Sequence, residues 1–177
     1  MKYGQLRGIK PVVCNDHREG LPHVQRIDWE PGLRRVKIGI HWRVCQPGIP
    51  EMHLLQTLNA LQEEYPENLC AIDLWPGIDR YDVQLRFGDD VVWAVDVKDY
   101  RSPYTLATKL ISFYGEGDLR YDEAFYVVPV RRLQQSEYYL HIAHEEARAL
   151  PENTRLLSDV GFIQHVHTKI VDLQRGK

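Results

Sequence analysis

The 177 residues are 44% hydrophobic and 27% charged, the balance of an ordinary globular domain with one substantial core. A net charge of −3 excludes nucleic-acid binding through overall basicity, so any such contact must come from local positive patches. Three cysteines, Cys14, Cys45 and Cys70, are too few for a disulfide framework, no apolar stretch reaches membrane-helix length, and the first residues lack a signal-peptide core; a reducing cytoplasm is the expected setting.

Residues 1–49 are punctuated by Gly and Pro into short apolar runs. One strand stands out, Arg34 to Val44, where Val36, Ile38, Ile40, Trp42 and Val44 alternate with a basic face carrying Arg35, Lys37, His41 and Arg43. Those charges suit either phosphate contact or an ordinary solvated face, and the second reading is the plainer one. Cys14 and His17, with His23 and Cys45, make half of a zinc pattern without a second paired half. A helix is predicted from Glu51 to Tyr65, with Pro50 suited to its first turn, Leu54, Leu55, Leu58 and Leu61 on one stripe, and Pro66 as the stop. Glu51 in the first turn favours the helix dipole. Asn68 to Trp75 is a short apolar run, read as a strand broken by Pro76-Gly77.

Tyr81 to Pro103, YDVQLRFGDDVVWAVDVKDYRSP, reads as two strands around the turn Gly88-Asp89-Asp90. Alternation puts Val91, Trp93, Val95 and Val97 on one face and Val92, Ala94, Asp96 and Lys98 on the other. Hairpin pairing brings Asp82 near Asp96, because both lie far from the turn. Two close carboxylates raise each other's pKa unless a cation intervenes. A hard ion such as Mg²⁺ takes oxygen ligands and often only one or two protein carboxylates. Lys98 can steady an attacking water or charge developing on a phosphate. The plainer alternative is a surface ion pair on an exposed strand face. Asp79 competes with Asp82 as the first aspartate, although Asp82 better fits the onset of the strand.

Ser102-Pro103 signals a helix carrying Leu106, Leu110 and Phe113 and ending at Gly115 and Gly117. Arg101 and Lys109, near its start, are candidates for substrate phosphate, with simple solvation as the alternative. Glu123 to Val130 reads as a buried strand, followed by Arg131-Arg132 as basic surface or a DNA contact. A helix is expected from Ser136 to Leu150 with solvated His141 and His144. The end is read as a helix around Arg155 to Val160 and then a strand from Gly161 to Val171, with His165 and His167 facing outward.

Asp82, then 13 residues, then Asp96-Val97-Lys98 resembles the PD-(D/E)xK signature of restriction-endonuclease-like nucleases, without the literal PD dipeptide. Within that superfamily, WAVDVKDYR is similar to the restriction-endonuclease-like proteins encoded beside prokaryotic Piwi-type proteins in defence islands. The resemblance covers Glu51 to Val130. It implies an α/β fold with a restriction-endonuclease-like core (αβββαβ, a mixed central sheet flanked by helices) over residues 50–177, residues 1–49 forming a β-rich extension packed on it. It further implies an Mg²⁺-dependent endonuclease, with Mn²⁺ as a substitute. Asp82 and Asp96 would hold the metal, the Val97 carbonyl would be a further ligand, Glu51 would complete the shell, and Lys98 would act on water and phosphate. DNA is preferred to RNA as substrate, and a homodimer or a defence partner protein is the implied company. The rival readings are a catalytically silent member of the same fold that binds nucleic acid or protein, and a scaffold in which DxK is decoration.

Overall fold

The computed structural model describes residues 48–113, 115–147, 150 and 153–176. The predicted strand Arg34 to Val44, the Cys14/His17/His23/Cys45 cluster and nearly all of the 1–49 extension lie outside those residues. The chain enters through helix α1 (Gly48–Glu64), then strand β1 (Leu69–Leu74), a single helical turn α2 (Pro76–Asp79), and strands β2 (Val83–Phe87) and β3 (Val92–Val97). Helix α3 (Pro103–Ala107) leads by a 3₁₀ turn (Gly117–Leu119) to β4 (Glu123–Val128). Two short helices follow, α4 (Val130–Leu133) and α5 (Tyr139–Glu146), then β5 (Thr154–Ser158) and the long α6 (Asp159–Arg175).

The five strands form one sheet in chain order. β1–β2 and β2–β3 pair antiparallel, whereas β3–β4 and β4–β5 pair parallel, so the sheet is mixed. A tight turn suffices for the antiparallel pair, while each parallel pair needs the helical crossover that the sequence supplies. At the β2–β3 turn a Cβ on Gly88 would collide with the Glu67 carbonyl oxygen, so only glycine fits. Asp90 completes the turn at φ 63°, a left-handed conformation that aspartate tolerates.

Alternation along β3 divides the core as its sequence requires. Trp93 and Val95 pack with Leu54 and Leu58 of α1 and with Phe162, Val166 and Ile170 of α6 on one face. The other face carries Tyr126 and Val128 against Leu106, Leu110, Tyr139 and Ala143. Asp82, Asp96 and Lys98 belong to this second face, at the end of the sheet away from the β2–β3 turn.

Four expected elements are corrected. The chain's end is inverted: β5 comes first and the helix second. Ser158 accepts a hydrogen bond from the Gly161 N–H at 3.0 Å and caps a helix whose Phe162, Val166 and Ile170 recur every fourth residue. The fourfold apolar spacing makes Gly161 to Val171 part of that helix, not the expected strand. The helix opened by Ser102 ends at Ala107, and Leu110 and Phe113 reach the core from a loop instead. The helix expected from Ser136 to Leu150 is confined to Tyr139–Glu146, with His141 and His144 exposed. His167 is exposed, but His165 is half-buried and stacked on Trp93, ring centroids 5.0 Å apart. Burial lowers the His165 pKa, and Arg155 lies 3.3 Å from its Nε2.

Candidate active site

The β2–β3 ladder sets Val83 opposite Val95 and Gln84 opposite Ala94, so one step further out Asp82 comes opposite Asp96. The Asp82 N–H donates to the Val95 carbonyl at 2.9 Å, continuing the ladder past the strand's formal start. Its carboxylate is buried, 8% exposed for the residue, and accepts the Val97 N–H at 2.6 Å. The Asp96 carboxyl stands close enough for its charge to act on it. Burial and the charge of Asp96 push the Asp82 carboxyl up to about 8, against the pull of the Val97 N–H. With its pKa raised there, the Asp82 carboxyl keeps its proton through neutral pH when no cation is bound.

Lys98 lies 2.6 Å from Asp96, with its side chain 24% exposed. Its ammonium sits 5.9 Å from the ring centre of Tyr126, the residue opposite Asp96 on β4. The Tyr126 hydroxyl donates to the Ile111 carbonyl and accepts from the Ile111 N–H, which fixes the loop after α3 behind the lysine. Burial raises the Tyr126 pKa to about 12, so it stays a neutral donor.

Glu51, in the first turn of α1, stands close enough for its charge to raise Asp82 further. Its Oε2 accepts the indole N–H of Trp75 at 2.9 Å. Among the described residues, no three His, Cys, Asp or Glu side chains form a ready cation cage. The sequence-predicted pair Asp82–Asp96 is therefore gathered, with Lys98 beside it, while Glu51 is engaged by Trp75 at the margin. The donor set nonetheless fits a hard divalent ion, because an ion that displaces the Asp82 proton finds carboxyl oxygens of two residues side by side. Asp79 closes α2, and its side chain lies outside the description. Arg101 is exposed between β3 and α3; Lys109 is also exposed, just past the end of α3.

Two features escaped sequence reading. Asp99, next to Lys98, binds Arg131 and Arg132 with 2.6 Å contacts to each, so the arginines are tied to the end of β3 as well as to β4. Trp75 holds both a site carboxylate and, through its main-chain N–H, the Asp82 carbonyl at 2.8 Å. A tryptophan directly before Pro-Gly was the available signal for the second. No local pattern announces the first.

A mixed sheet whose antiparallel hairpin carries Asp82 and Asp96-Val97-Lys98, continued by parallel strands and flanked by helices, defines the restriction-endonuclease-like class. The chain belongs to a restriction-endonuclease-like family: the family model described as "REase associating with pPIWI_RE" matches residues 48–174. The family description gives a nuclease-type domain in a pPIWI defence setting. No match was found among curated proteins or among solved structures. Among the described residues no helix is long and apolar enough to cross a membrane.

Proposed function

We propose that the chain is a divalent-metal-dependent endonuclease that hydrolyses phosphodiester bonds, of DNA ahead of RNA, in a cytoplasmic defence system beside a pPIWI_RE partner. The observation that carries the reading is the buried Asp82 carboxyl set opposite Asp96, with Lys98 2.6 Å from Asp96. Asp82 and Asp96 would hold Mg²⁺ or Mn²⁺, with the Val97 carbonyl and Glu51 as further oxygen donors. When bound, the metal supplies Lewis acidity and a water of lowered pKa. Lys98 orients the attacking water and stabilises charge gathering on the phosphate. Arg101 and Lys109 offer exposed cations for flanking phosphates. A homodimer would place a second such site against the opposite strand of a duplex.

The test is cleavage of single- and double-stranded DNA and RNA with Mg²⁺ or Mn²⁺, beside Lys98→Ala. Metal-dependent cleavage lost in the variant supports the reading. Nucleic-acid binding with no cleavage by either protein supports the silent-member alternative.

A further inference from the structure

We propose that Trp75 is a substrate-contacting residue that stacks on an unpaired nucleobase next to the scissile phosphate. The inference deepens the nuclease reading above and rests on it for the identity of the ligand.

Trp75 is 46% exposed, unusual for the largest apolar side chain when it is tied by hydrogen bonds. Its backbone sits at φ 51°, ψ 51°, a left-handed conformation that is strained for a non-glycine residue. Residues before proline ordinarily lie in the extended region. Gly77, at φ 61° and with the Leu119 side chain 2.6 Å from where its Cβ would stand, completes a tight corner that holds Trp75 in place. Strain of this kind persists where the surroundings over-determine it, and it gathers at functional sites.

The corner is anchored to the site at two points. The Trp75 main chain bonds Asp82, and the indole N–H bonds Glu51. With the polar edge of the ring spent on Glu51, the apolar ring is what solvent meets. A phosphate brought to Asp82, Asp96 and Lys98 places its neighbouring nucleotides at the same mouth. A planar, exposed indole there matches the face of a base and cannot enter an intact stack. The substrate it selects is thus single-stranded, or a duplex with an unpaired or frayed nucleotide.

Two substitutions separate stacking from support of Glu51. Trp75→Phe keeps an aromatic face and removes the N–H; Trp75→Leu removes both. Each is made in the full chain carrying Lys98→Ala, so that cleavage does not consume the probe, and checked for unchanged circular dichroism. The probe is a short single-stranded oligodeoxynucleotide with one fluorescent adenine analogue, compared with its blunt duplex. Expected are quenching of the analogue on the single strand, affinity within about twofold for Trp75→Phe, and a loss of about tenfold or more for Trp75→Leu. Equal affinities for all three proteins, equal losses in both variants, or equal binding of the blunt duplex would overturn the proposal. Failure of the nuclease reading shows separately, as no cleavage of any substrate by the protein with Lys98 intact. Absence of all nucleic-acid binding defeats both.

Discussion

Asp82 and Asp96 stand opposite each other one step beyond the Val83–Val95 pair, and Val97 donates its N–H to the buried Asp82 carboxyl at 2.6 Å. Like charges this close need either a proton or a cation between them. The site's behaviour with pH and with metal follows from that alternative.

Without metal, stability falls as pH rises. Burial and Asp96 hold the Asp82 carboxyl at about 8, whereas in the unfolded chain it titrates near its usual value of about 4. Between those limits the folded state keeps a proton the unfolded state has lost, so unfolding becomes easier with each step upward and the penalty is complete above the folded value. Asp82→Asn removes the titration and retains an oxygen for the Val97 N–H. Its metal-free melting temperature should exceed that of the unmodified chain by several degrees near pH 8, at about 2–4 °C per kcal/mol, with the gap closing towards pH 4. Parallel melting curves across that range would remove the Asp82 proton.

Metal should replace this proton. Mg²⁺ or Mn²⁺ binding near neutral pH should release up to about one proton per ion and tighten as pH rises. Calorimetry in two buffers of different ionisation enthalpy reads the release directly. At about a hundred times Kd the ion should stabilise the fold by about 2.7 kcal/mol, and Asp96→Asn should abolish that shift.

Lys98→Ala should leave folding and metal binding intact but lower kcat by about 10²–10³-fold, the usual scale for removing one charge-stabilising donor. A variant that cleaves at the original rate would leave Lys98 as a partner of Asp96 and nothing more.

Asp99→Ala should cost about 1–3 kcal/mol of stability, since it strands the Arg132 side chain, only 13% exposed, without its carboxylate. Arg131→Ala, at a position 28% exposed, should cost less than about 1 kcal/mol. Denaturant titration of the two variants compares these losses, and equal values would mean that the arginines share the load differently.

The hairpin and its two faces were legible because they obey period 2 and a tight turn, both local properties of Val83 to Val97. From that alone followed the opposition of Asp82 and Asp96. The inverted ending shows where local reading fails. Thr154–Ser158 is too short for its pattern to dominate, and it becomes a strand because Leu156 and Leu157 find Tyr126 and Val127 alongside. Likewise α3 stops at Ala107 because the Tyr126 hydroxyl captures both main-chain groups of Ile111.

A helix, a carboxylate-bearing hairpin and a buried strand can thus be read off in order, since they rest on side-chain periodicity and turn chemistry. Packing of distant elements is what sets Glu51 against Trp75 across 24 positions and gathers Arg131 and Arg132 at Asp99 across 32 and 33. Such contacts join residues that no local pattern links, and they form only when packed elements bring their ends together.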